Sequence, residues 1–196
     1  ATVNDGLPAT DVRQFALDPG DPAGIQYLLL ETARTLYIRQ GGNWSAILTS
    51  AEAMALTAAD TSGTLRWFYA DTSIPGRLWV THNGGYTDGG FTNQTVYAFY
   101  SDDYGASWTA AAIIAVSGTS ERVAHHIAAY GDFVAIAWNS GAGYFLSYST
   151  DKGASWDVSG EAWSETVNLN PLQPTLVYFS DTSEVHSVDT AGTDTQ

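Results

Sequence analysis

Apolar residues along this chain alternate with small or polar ones in short runs. The runs are broken by glycine, proline, asparagine and aspartate, a pattern that predicts strands rather than helices. Val12, Phe15 and Leu17 lead into Asp18-Pro19-Gly20-Asp21-Pro22, where two prolines fix φ and Asp18 can cap the reversal. Strands are then predicted at Ile25 to Glu31, Thr35 to Arg39, Leu65 to Tyr69, Leu78 to Thr81 and Thr95 to Tyr100. Further strands follow at Val123 to Ala129, Phe133 to Trp138, Tyr144 to Tyr148, Leu176 to Phe179 and Glu184 to Val188. Ser50 to Ala59 is alanine-rich and reads as either a short helix or a connection. The glycine-rich stretch Asn83 to Asn93 reads as a loop.

One phrase occurs twice, forty-eight residues apart: Ser101-Asp102-Asp103-Tyr104-Gly105-Ala106-Ser107-Trp108 and Ser149-Thr150-Asp151-Lys152-Gly153-Ala154-Ser155-Trp156. Both are Ser-x-Asp-x-Gly-x-x-Trp, and both follow an alternating run, which predicts hairpin turns at equivalent points of a repeat. Asp103 and Asp151 can accept backbone N–H bonds, and Ser101 and Ser149 can close the turn locally. Gly105 and Gly153 supply positive φ, while Trp108 and Trp156 bury an indole as the chain re-enters a strand. Gln40-Gly41-Gly42-Asn43-Trp44 reads as a degenerate copy.

This pattern resembles the Asp-box, or BNR repeat, of sialidase-like, sortilin-like and xyloglucanase-like propellers. The resemblance implies an all-β fold of four-stranded antiparallel blades arranged as a β-propeller, with the motif at hairpin turns usually remote from the active site. It implies little about activity, because the families sharing it do different things. Residues 1–11 read as an entry segment, 12–49 as a first blade, 50–113 as a second carrying the loop 83–93, and 114–159 as a third. Residues 160–196 read as an incomplete fourth. Leu169-Asn170-Pro171-Leu172-Gln173-Pro174 echoes the opening Leu17 to Pro22, but no tryptophan closes the final turn. The chain is therefore expected to be a fragment of a larger propeller, to gain blades from another copy, or to complete its last sheet with Ala1 to Leu7.

Composition narrows the functional field. In 196 residues there are 21 acidic and 7 basic side chains, a formal charge of −14, and no cysteine. Phosphate neutralisation needs a basic patch, so nucleic acid is not an expected partner, and a thiolate metal site or cysteine nucleophile is excluded. No apolar run approaches the ~20 residues that span a bilayer. No cofactor is expected.

The candidate chemistry has plain alternatives. Asp18, Glu31, Asp71, Asp132 and Glu165 are acids from which a glycosidase pair can be imagined, but no motif singles them out from turn and surface positions. The sialidase Arg-Ile-Pro signature has only Ser73-Ile74-Pro75 as a counterpart, so no catalytic residue is carried over. His125 and His126 are adjacent on a strand and should point to opposite faces, against a shared metal. Asp88 and nearby carbonyls suit calcium no better than the loop's glycines suit a hairpin. Trp67, Tyr69, Trp79 and Trp138 are expected mostly in the core rather than stacked on sugars. Asn43-Trp44-Ser45 and Asn93-Gln94-Thr95 match glycosylation acceptors without deciding anything.

The resulting expectation is a non-catalytic binding or scaffold module on an extracellular, cell or virion surface, meeting a protein or glycan partner. A piece of a glycoside hydrolase is the alternative. A self-assembling subunit with open blade edges is the third reading.

Overall fold

The computed structural model describes residues 6–9, 11–22, 24–57, 61–88, 91–111, 123–140, 143–158, 167–169, 176–180, 185–189 and 194–195. Among the described residues, sixteen strands form four separate four-stranded antiparallel sheets, each a simple meander in chain order. The first holds β1 (Val12–Leu17), β2 (Ile25–Leu30), β3 (Thr35–Gln40) and β4 (Trp44–Thr49); the second holds β5 (Thr61–Ala70), β6 (Leu78–Asp88), β7 (Phe91–Ser101) and β8 (Thr109–Ala110). The third holds β9 (Val123–Tyr130), β10 (Phe133–Ser140), β11 (Gly143–Ser149) and β12 (Asp157–Val158). The fourth holds β13 (Val167–Leu169), β14 (Leu176–Ser180), β15 (Val185–Asp189) and β16 (Asp194–Thr195).

The sheets stack in sequence order, and their first strands adjoin: β1 packs on β5, β5 on β9, and β9 on β13. Period-two alternation gives the second and third sheets two apolar faces, one for each neighbour. Between sheets one and two lie Tyr27, Leu29, Leu36, Leu65, Phe68 and Phe99, all fully buried. Between sheets two and three lie Trp79, Val96, Ile127, Val134, Ile136 and Trp138. Each such large side chain contributes about 1.5–3 kcal/mol by leaving water, so these layers bind the stack together.

The structure bears on four sequence expectations. Residues 83–88 and 91–93 are not a loop, because β6 and β7 pair continuously from Leu78 with Ser101 to Asp88 with Phe91. Gly84 and Gly85 sit opposite Thr95 and Gln94, so glycines that suggested a loop are absorbed by cross-strand pairing. Ser50–Ala55 is a helix, α1, started by a reciprocal cap in which Thr49 accepts from the Glu52 N–H and Glu52 accepts from the Thr49 N–H. The fourth sheet does not stop early, since Asp194 and Thr195 pair with Val188 and Ser187. Finally, of the segment Ala1 to Leu7 expected to complete that sheet, residues 1–5 lie outside the described residues, and Leu7, with Ala9, packs on Leu28, Leu30, Tyr37 and Trp44 of the first sheet.

Candidate functional site

The two repeated turns each join the third and fourth strands of a sheet and are built alike. The Ser101 hydroxyl donates to Asp103 Oδ1 (2.8 Å) and accepts from the Gly105 N–H (2.8 Å), and Ser149 does the same with Asp151 (2.8 Å) and Gly153 (2.8 Å). Asp103 then accepts from the N–H (2.8 Å) and hydroxyl (2.6 Å) of Ser107, and Asp151 from those of Ser155 (2.9 and 2.6 Å). These donors hold both carboxyls below their ordinary range, Asp151 at about 2 through Ser155 above all. Residues before the glycines also take positive φ: Tyr104 at 60° and Lys152 at 58°. Gly105 lies against Ile47 of the first sheet and Gly153 against Ala111 of the second, so each turn docks on the sheet before it. Trp108 adds a bond from Nε1 to the Ile47 carbonyl (2.9 Å), whereas Trp156 Nε1 has no partner among the described residues. Gly41 to Asn43 occupies the corresponding corner of the first sheet.

A second device repeats at the same end of the sheets, where each first strand turns into the second. Fully buried Asp18, just after β1, accepts from the N–H groups of Gly20 (2.9 Å) and Asp21 (3.2 Å) and from the Tyr27 hydroxyl (2.8 Å). It also accepts from the N–H of Gly76 (3.1 Å), which belongs to the next sheet. Fully buried Asp71, just after β5, accepts from Ser73 N–H (2.8 Å) and hydroxyl (2.6 Å) and from the N–H of Gly131 (2.9 Å) in the third sheet. The two acids fasten successive sheets. A signal for the pair was present: Asp18…Pro22 and Asp71…Pro75 share one spacing, as do Asn170…Pro174.

The first strands carry a third repeated feature, invisible to alternation. Pairing skips Arg13 in β1, Arg66 in β5 and His125 in β9, and β5 has a further irregularity between Thr61 and Thr64. Each skip is a β-bulge, and each skipped side chain is basic. His125 and His126 are both half-buried. Arg13 lies with its guanidinium carbon 4.4 Å from the Trp67 ring centre and donates to the Arg66 carbonyl (2.7 Å) and Glu31 (2.5 Å). Arg34 takes the other oxygen of Glu31 (2.6 Å), and Trp67 meets the His126 ring at 5.6 Å. The Arg13 bond holds the Glu31 carboxyl below its usual range, while burial lowers Arg34. Gln14 bonds both ways to Phe68, donating to its carbonyl (2.7 Å) and accepting from its N–H (3.0 Å), so a side chain closes the free edge of β5.

The remaining expected residues are placed as follows. Asp132 meets Arg77 at 3.3 Å and is mostly exposed. Arg77 also donates to Asp102 (2.6 Å) and the Gly131 carbonyl (2.8 Å), and Lys152 pairs with Asp102 above the Tyr100 ring. Burial raises the Asp102 carboxyl, but the two cations outweigh it and hold it low. Trp79 and Trp138 are core, while Trp67 and Tyr69 are half-buried. Glu165 lies outside the described residues, and among those residues no group of three potential ligands could hold a metal ion. His82 was not anticipated: it is fully buried beside Gly63, Tyr97 and Phe99, with neither ring nitrogen partnered among the described residues. Burial pushes its pKa down to about 4.

No family model and no curated protein matches the chain. Among solved structures, a crystal structure of a protein of unknown function from Dyadobacter fermentans is similar, with a TM-score of 0.55 at 12% identity. The match covers 86% of this chain and 57% of that one, so this chain spans little more than half its length. At such identity the likeness is one of fold.

Proposed function

We propose that this chain is an Asp-box β-propeller module that binds or scaffolds rather than catalyses, displayed on an extracellular or virion surface. The propeller part is supported by the meander sheets, the adjoining first strands and the two turns built on one hydrogen-bond plan. The surface setting rests on composition: no cysteine and a single lysine.

The observation that carries the non-catalytic reading is that the described candidate acids are occupied, Asp18 and Asp71 by donors that fasten the next sheet and Glu31 by Arg13 and Arg34. Asp11, Glu31, Asp102, Asp103 and Asp151 are all held below the ordinary range, each by donors aimed at it. A glycosidase needs one acid with a raised pKa facing a second carboxylate. Side chains at the bulges offer a contact point instead: Arg13, Arg66 and His125 with the half-buried Trp67 would suit an anionic group on a glycan or protein partner.

The test pairs two assays on the same preparation. Chromogenic sialosides and β-glucans are incubated with the protein from about pH 4 to 8, bracketing the range in which carboxyl pairs act, and retention is measured on immobilised anionic and neutral glycans. Salt-sensitive retention without turnover is expected, and weakened by Arg13→Ala. Turnover would overturn the reading. An experimental structure in which β1, β5, β9 and β13 do not share a common axis would remove its propeller part.

A further inference from the structure

Trp108 docks on β4 at a place where that strand is irregular. Pairing of β4 with β3 skips Ile47, between Leu36 with Leu48 and Tyr37 with Ala46, and the Ile47 carbonyl accepts from the Trp108 indole (2.9 Å). Beside this contact, between β4, α1 and the first of the repeated turns, lies a pocket of about 360 Å³, within the size range of small-ligand sites. Its wall is mostly apolar, formed by Ile47, Leu48, Ala55, Leu56 and Trp108, and Glu52 is its one ionisable lining residue.

The polar groups of that wall are nearly all committed. Trp108 Nε1–H goes to the Ile47 carbonyl, and both the N–H and the hydroxyl of Ser107 go to Asp103. The Ala106 N–H goes to the Asp103 carbonyl (3.2 Å) and the Gly105 N–H to Ser101. Glu52 differs. Its Oε2 accepts from the Thr49 N–H (2.8 Å) and hydroxyl (2.8 Å), which pins the carboxylate at the start of α1, while Oε1 has no partner among the described residues.

A ligand suited to this place has to donate hydrogen bonds, carry positive charge and be otherwise apolar. A carboxylate or phosphate would meet Glu52 with no donor to offset it, and the hydroxyl oxygens of a sugar would lose water without finding donors. An ammonium has three donors and no acceptor. We propose that this pocket binds a small alkylammonium ion, with its N–H groups on Glu52 Oε1 and its hydrocarbon chain along Ile47, Leu56 and Trp108. The formal charge of −14 draws cations to the whole surface, and the pinned carboxylate beside an apolar wall selects among them. The pocket shares no lining residue with the bulged Arg13, Arg66 and His125, so it stands or falls independently of an anion bound there.

The experiment is a titration of the isotopically labelled protein near pH 7 with n-hexylammonium chloride, followed by nuclear magnetic resonance. The reporter is the Trp108 indole N–H, identified by its absence from the Trp108→Phe spectrum. A saturable shift with half-saturation at about 1 mM is expected for so small a ligand. Glu52→Gln keeps the reciprocal cap, which glutamine also serves, but removes the charge, and should weaken binding about tenfold. Leu56→Ala, at a residue 41% exposed and so safe for folding, should weaken it about fivefold. At matched ionic strength n-hexanol should bind about tenfold more weakly than the ammonium, and n-hexanoate should give no saturable shift. The proposal is overturned if nothing saturates below about 50 mM, if hexanol or hexanoate matches hexylammonium, or if binding is indifferent to either variant. Circular dichroism checks that each variant is folded. Should Glu52→Gln unfold, Leu56→Ala and the three-ligand series on the unaltered chain decide the question without it.

Discussion

The corners and the centre of this molecule are held by opposite kinds of contact. At the corners, Ser101 and Ser149 and their aspartates bond to partners two to four residues away. Along the first strands the partners are more than fifty residues away: Asp18 with Gly76, Asp71 with Gly131, Arg13 with Arg66 and Gln14 with Phe68. The hydrogen bonds that shape the corner close within the motif, and its glycine and tryptophan then dock it on the sheet before. The centre has a defined shape only when the next sheet is present, so its determinants should cost more to lose.

The sharpest way to break that contrast is to remove the acids. Asp18→Ala strands several buried donors, including Tyr27 and Gly76, and should cost about 4 kcal/mol in urea unfolding, with Asp71→Ala close behind. Asp103→Ala, whose donors can turn to water, should cost about 1 kcal/mol. Equal losses would dissolve the distinction.

Titration separates the two regions along another axis. His82 has a folded pKa near 4 against 6.5 for the free group, so the unfolded chain binds the proton first. Stability is therefore complete above pH 6.5 and is lost as pH falls toward 4, by about 3 kcal/mol. His82→Leu should flatten that window in chemical denaturation at stepped pH. Asp103 and Asp151, with lowered pKa values, contribute only above the ordinary carboxyl range and lose their part below it, Asp151 toward pH 2.

Smaller substitutions test the corners themselves. Gly153→Ala would set a methyl 2.7 Å from Ala111 Cβ, which cannot rotate away, whereas Gly105→Ala meets the more mobile Ile47 Cδ1 at 2.5 Å. With positive φ at both, losses of about 2 kcal/mol are expected, larger at Gly153, by thermal unfolding. Smallest should be the difference between Trp108→Phe and Trp156→Phe. Only Trp108 donates to a described carbonyl, a bond worth about 1 kcal/mol, and paired melts would read it directly.

What was legible in the sequence follows the same division. Ser-x-Asp-x-Gly-x-x-Trp could be read because its bonds close within the motif, and the strands could be read because their faces alternate. The bulges could not, since a skipped residue at Arg13, Arg66 or His125 is defined by its partner strand. The adjacent histidines flank that skip in β9, and both are half-buried. Asp18 and Asp71 stood among imagined catalytic acids, although their common distance to a proline hinted at a shared structural task. Asn83 to Asn93 was misjudged because glycine content is local evidence, while eleven-residue pairing is not.

One property of the buried fasteners reaches beyond stability. Each acid grips a main-chain N–H, at Gly76 or Gly131, and no particular side chain on the receiving sheet is consulted. A segment copied in tandem within the gene would thus arrive with a working attachment at either end, before any compensating change had accumulated. Growth or shrinkage by whole units is accordingly the easiest route by which such a chain can change its length over evolutionary time.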